Sequence, residues 1–126
     1  MTKAARKLNI LYGEGDAEVL AAQADAIAKA GHEVQQAVGR KAVLAALGNG
    51  KFDLIVLGAT LTRNDRHHLP YMVKKANFAT QVLVLHADGS RHPYVDGWAD
   101  TGATVEAVVA KIGAVTPGAV GAAAGR

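Results

Sequence analysis

The segment Asp53-Leu54-Ile55-Val56-Leu57-Gly58 constrains this chain more than any other. Four consecutive apolar residues, with an acidic residue in front and a glycine behind, describe a strand buried on both faces. Such strands belong to parallel sheets covered by helices on either side. In those sheets the chemistry sits just beyond the carboxyl ends of the strands. At that point this chain offers Gly58, which supplies no nucleophile, acid or base. The fold is therefore legible. Function becomes a question of what a sheet edge does without a reactive group at its centre.

The remaining segments alternate in type. Residues 8–12 read as a first strand, closed by Gly13-Glu14-Gly15. Asp16 is the expected N-cap of a helix from Ala17 to Ala30, with Leu20, Ala24 and Ile27 on one face and Gly31 past its end. Residues 32–38 alternate weakly, with Val34, Gln36 and Val38 on one side, and their polarity suits a strand near the edge. A second helix runs from Arg40 to Leu47 and stops at Gly48-Asn49-Gly50. After strand 53–57, a polar loop over Thr60 to Asp65 leads into a third helix from about Arg66 to Ala76, with Pro70 in or near its first turn. Gln81 to Leu85 is another buried strand, and Val105, Val108, Val109 and Ile112 mark a last helix by their spacing.

Strands alternating with helices in this way require crossover connections and a parallel sheet. Residues 87–102 contain Gly89, Pro93, Gly97 and Gly102, which leaves room for a shortened fourth helix and a weak fifth strand around Val95 to Ala99. The expected domain spans residues 7–113. A basic tail over 1–6 and an Ala/Gly-rich tail over 114–126 are expected to be disordered.

Composition narrows the function classes. The 126 residues suit one domain. Half are hydrophobic but only 5% are aromatic, so the helices must lie close to the sheet. The net charge of +3 is weak, and Lys3, Arg6 and Lys7 supply part of it. No basic face with interleaved aromatics is visible in the sequence, so nucleic acid is not an expected partner. The absence of Cys excludes disulfides and thiolate chemistry and fits a reducing compartment. No apolar run approaches the ~20 residues that span a bilayer. Nor does an apolar region of the secretory type follow the basic start. The expected address is the cytoplasm, with no membrane partner.

Four segments, in order and correctly spaced, resemble the receiver (CheY-like) domain of bacterial two-component response regulators. Asn9-Ile10-Leu11-Tyr12-Gly13-Glu14-Gly15-Asp16 sits where receivers have an apolar strand followed by acidic residues. Ala28-Lys29-Ala30-Gly31-His32-Glu33-Val34 is similar to the junction of their first helix and second strand. Asp53 to Gly58 corresponds to the strand that ends in the phosphorylated aspartate, and Gln81 to Ala87 to the strand that ends in Thr or Ser followed by Ala. The resemblance covers residues 7–112. It implies an α/β, flavodoxin-like three-layer sandwich with a parallel sheet ordered 2-1-3-4-5.

The departures from that family set the functional expectation. Gly58 stands at the phosphoacceptor position, and Gly15 removes one carboxylate of the magnesium-binding pair while Glu14 keeps the other. His86 replaces the switch hydroxyl, and the lysine near the fifth strand has no counterpart. The resemblance thus implies a degenerate pseudo-receiver, not an enzyme and without a cofactor. It would act by contact with a signalling protein or as a homodimer, independently of phosphorylation. Tyr94 and Trp98 are the candidate interaction surface, with Trp98 as a plug for the missing helix the competing account.

An alternative is a small-ligand or metal-binding flavodoxin-like domain using Glu14, His67, His68 and His86, since imidazole and carboxylate are ordinary ligands. Adjacent histidines point in different directions on a helix, so no more than one would aim inward. A third reading is a scaffold that only dimerises. Gly13-Glu14-Gly15-Asp16-Ala17-Glu18 is half of a dinucleotide fingerprint, but its acidic side chains would repel a pyrophosphate. No Asp-x-His-x-x-Gly segment for cobalamin follows the first strand, and Thr62, Ser90 and Thr101 lack the partners of a hydrolase triad.

Overall fold

In the computed structural model, residues 8–50, 52–77, 79–85, 94–99, 107–108 and 110–112 are described. The elements are β1 (Asn9–Glu14), α1 (Ala17–Lys29), β2 (Glu33–Val38), α2 (Gly39–Asn49), β3 (Leu54–Leu57), α3 (Arg63–Ala76), β4 (Gln81–Val84) and β5 (Gly97–Trp98). All five strands are parallel and lie in the order β2-β1-β3-β4-β5. This is the expected sheet. Ile10 pairs with Val34 on one side and Leu54 on the other, and Leu54 in turn pairs with Gln81.

Alternating side chains divide the core into two layers. Ile10, Tyr12, Leu54, Val56 and Leu83 pack with Leu20, Ala24 and Ile27 of α1, and with Val108 and Ile112. Leu11, Ile55, Leu57, Val82 and Val84 pack on the opposite face with Val43, Ala46, Leu69 and Val73 of α2 and α3. Each full burial of such a side chain stabilises by about 1.5–3 kcal/mol. The four apolar residues of β3 are all fully buried, which is why that segment read so clearly.

Several boundaries differ from expectation. β1 extends to Glu14, because Gly13 and Glu14 pair with Ala37 and Val38. In β2 the alternation breaks down at its end. Ala37 is buried, whereas Val38 is 49% exposed at the rim of the edge strand. α2 follows at once, through Gly39 at φ +85, a conformation that favours glycine.

α3 begins earlier than expected, at Arg63, where the Thr62 hydroxyl caps it by accepting from the Asp65 amide at 3.1 Å. Pro70 therefore lies about two turns inside the helix, not in its first turn. There it deprives the Arg66 carbonyl of its helical donor. Pro70 is buried, so packing offsets that loss.

β5 is only two residues long, in line with a weak fifth strand. A charged clamp fixes the approach to it. One Asp96 carboxylate oxygen accepts from the Val82 amide at 2.8 Å and from Lys74 Nζ at 2.9 Å, while Lys74 also donates to the Thr80 carbonyl at 2.6 Å. The expected fourth helix, both tails and His86 lie outside the described residues.

His32 joins α1 to β2, and its Nδ1 accepts from the Leu8 amide at 3.2 Å. Only an imidazole unprotonated at Nδ1 can accept there. Burial holds the His32 pKa below its ordinary value. The folded state thus binds the proton less readily than the unfolded chain. Its contribution to stability is present above the unfolded imidazole pKa and is lost as pH falls toward and through the lowered folded value. Thermal melts should show the midpoint falling between about pH 7 and pH 5, with a shallower fall in His32→Asn. Equal slopes in the two proteins would contradict this.

Candidate functional site

The ends of β1 and β3 meet at the carboxyl edge of the sheet, where the Gly58 amide donates to the Gly13 carbonyl at 2.8 Å. One residue further along β1 comes Glu14. Two-residue periodicity puts its side chain on the same face as Tyr12. That side chain is only 1% exposed. A buried carboxylate is costly unless its oxygens are hydrogen-bonded. Here three donors serve it. The Tyr12 hydroxyl donates to Oε2, and Thr60 donates to Oε1 through its amide at 3.1 Å and its hydroxyl at 2.6 Å. Burial first, and then the hydrogen bond and charge of Glu14, push the Tyr12 phenol above its ordinary range. Tyr12 therefore stays protonated and remains a donor.

Thr60 closes the other side. Its hydroxyl accepts from the amides of Gly15 at 2.8 Å and Asp16 at 3.0 Å while donating to Glu14. One donor and two lone pairs are the full capacity of a hydroxyl. The loop carrying Thr60 is itself fixed. The Leu61 amide returns to the Gly58 carbonyl at 3.2 Å, and the Arg66 guanidinium donates to the carbonyls of Ala59 and Leu61. Asp16 accepts from the Glu18 and Val19 amides and so caps α1.

Both glycines at this edge are demanded by close approach. A Cβ on Gly15 would lie 2.3 Å from the Thr60 carbonyl oxygen. A Cβ on Gly58 would lie 1.8 Å from the carboxyl carbon of Glu14. The Glu14 carboxylate thus fills the volume in which a side chain at position 58 would begin. Polar groups in this pocket are matched to one another. A divalent cation such as magnesium prefers several hard oxygens in octahedral geometry. The described residues offer one carboxylate whose oxygens already serve three donors, which does not fit that ion.

The other candidate residues are placed apart from this pocket. His67 is half-buried on α3, and His68 is exposed beside Tyr71, their ring centroids 6.0 Å apart. Among the described residues, no three His, Cys, Asp or Glu side chains are grouped to hold a metal ion. Tyr94 is half-buried and meets Tyr71 edge-on at 5.8 Å. Trp98 is half-buried and packs against the core layer beneath α2 and α3. Periodicity alone left Tyr12 as strand core and Thr60 as loop. The available signal was Tyr12 and Glu14 two apart on one strand, with Thr60 two residues beyond Gly58.

Gly58→Ala should destabilise the protein by about 2–4 kcal/mol, because the added methyl meets a carboxylate that cannot leave without orphaning its donors. Adding Glu14→Ala should recover part of that loss, with a favourable coupling of at least about 1 kcal/mol in a denaturant-unfolding double-mutant cycle. Strict additivity would show that the two positions do not compete for one space.

No protein-family description matches the chain, and no curated protein matches it. Solved structures do. The chemotaxis response regulator CheY4 of Vibrio cholerae superposes with a TM-score of 0.76 at 17% identity, covering 87% of this chain and 99% of that one. A CheY-like response regulator receiver domain protein from Methanospirillum hungatei gives 0.78 at 16% identity, covering 90% of this chain and 97% of that one. A response regulator from Burkholderia pseudomallei, described with a phosphorylated aspartic acid, a calcium ion and citrate, gives 0.72 at 20% identity, covering 94% of this chain and 72% of that one. Among the described residues no helix is long and apolar enough to cross a membrane. The chain is built on the CheY-like, flavodoxin-type fold of receiver domains.

Proposed function

We propose that this chain is a pseudo-receiver, a bacterial cytoplasmic signalling module that acts through protein contact without phosphoryl transfer or enzymatic activity. The observation that carries this reading is the Glu14 carboxylate in the volume that a position-58 side chain would need. Transfer of a phosphoryl group to a carboxylate requires that carboxylate to be presented to the donor. The Burkholderia protein is described with a phosphorylated aspartic acid. At the corresponding strand end this chain has Gly58, and the neighbouring acid, Glu14, is closed off by Tyr12 and Thr60.

Glu14, Gly15 and Gly58, with His86, are the remnants of the phosphorylation pocket in this reading. Their present task is structural. They hold the loop after β3 in one conformation, where a working receiver would let its equivalent respond to a phosphate. Tyr94 and Trp98, beside the shortened β5, belong to the contact surface for a protein partner or a second copy. Aromatic residues are enriched at such surfaces.

Incubation with acetyl phosphate and magnesium, read by intact mass, should leave the mass unchanged over a time in which a phosphorylatable receiver gains a phosphoryl group. A stable adduct on this chain would overturn the proposal.

A further inference from the structure

The fold sorts charge across the sheet in a way that the linear sequence hides. On one side, α1 and its cap carry Asp16, Glu18 and Asp25, and the cation Lys29 is paired with Asp25 at 3.0 Å. On the other side, α2 carries Arg40 and Lys41 with no acid, and α3 carries Arg63, Arg66, Lys74 and Lys75 with the single acid Asp65. Asp65 lies 3.6 Å from Arg40. Arg66 and Lys74 are turned to carbonyls and to Asp96. The outward cations of this layer are then Lys41, Arg63 and Lys75, all exposed and without a carboxylate partner among the described residues.

Aromatic surface lies among them. Asn64, His68, Tyr71 and Lys75 are all exposed, and their spacing puts them on one stripe of α3. The stripe is about 16 Å long at the helical rise. Tyr71, 43% exposed, meets His68 and Tyr94, and Lys75 Nζ stands 6.0 Å from its ring centroid. Tyrosine flanked by cations is the composition of an interface anchor.

We infer that the exposed α2/α3 layer, centred on Tyr71 with Arg63, Lys41 and Lys75, docks an acidic polypeptide segment carrying an apolar side chain. The inference rests on the protein-contact reading above and adds the chemistry of the partner. Charge complementarity selects an anion, and the flat aromatic centre selects one with an apolar side chain. Nucleic acid is the weaker fit. Its affinity grows with the number of phosphates neutralised, and few outward cations are present. A second copy of the chain could present Glu18 and Asp25 of α1 to the same surface, and the experiment separates that case.

The probe is a fluorescein-labelled peptide of about eight residues, rich in Glu and Asp with one Trp, a length that covers the stripe when extended. Fluorescence anisotropy should report binding that weakens as salt rises. The Arg63→Glu/Lys75→Glu variant should lose at least about tenfold in affinity. Tyr71→Ala should weaken binding as well, and Lys29→Glu on the opposite layer should leave it unchanged. Circular dichroism confirms folding, and Arg63→Gln/Lys75→Gln provides a milder second variant. No binding, or equal losses in the Lys29→Glu variant, would overturn the inference. So would tighter binding of a single-stranded oligonucleotide of equal charge, or self-association by light scattering that the charge reversals abolish. A phosphoryl adduct in the acetyl phosphate experiment would remove the pseudo-receiver reading and leave this surface as it stands. Failure of the peptide would do the reverse.

Discussion

A carboxylate from β1 and a side chain on residue 58 cannot occupy the same space, and the carboxyl edge of this sheet is organised around that exclusion. Glu14 takes the space, so position 58 has to be glycine. Once inside, the carboxylate needs donors, and Tyr12 and Thr60 provide them. Thr60 reaches Glu14 only because its loop folds close over Gly15, which in turn leaves no room for a side chain there. Four departures from a receiver-like pattern thus reduce to one packing solution.

The energetics favour keeping the arrangement whole. A buried donor or acceptor left without its partner costs about 1–3 kcal/mol. Removal of the Glu14 carboxylate would strand the Tyr12 hydroxyl and two donors of Thr60 together. The same network ties the start of α1 to the loop before α3 through the Gly15 and Asp16 amides. A loop held from so many directions is poorly suited to switching, which agrees with a module whose contact surfaces are permanently formed.

The fold was legible because strands buried on both faces leave an unbroken apolar run, as Leu54 to Leu57 and Val82 to Leu85 do. Sheet order followed from the alternation of elements. The start of α3 was hidden because Arg63, Asn64 and Asp65 belong to a helix turn that faces water, and a polar turn reads like a loop. Thr62 followed three residues later by Asp65 was the capping signal that polarity outweighed. Glu14 was recognised as a surviving acid, but its inward turn depends on pairing of the last two residues of β1 with β2, which no local pattern reveals. The cationic layer was invisible for a similar reason. Its members come from two helices that only the sheet brings side by side.

The central claim is that Glu14 permanently occupies the place of a residue-58 side chain. A crystal structure determined with magnesium and beryllofluoride, a phosphoryl mimic, tests it directly. Glu14 should remain against Gly58, hydrogen-bonded to Tyr12 and Thr60, with no fluoride adduct at the sheet edge. A structure in which Glu14 has swung out to coordinate magnesium beside a bound mimic would contradict the account.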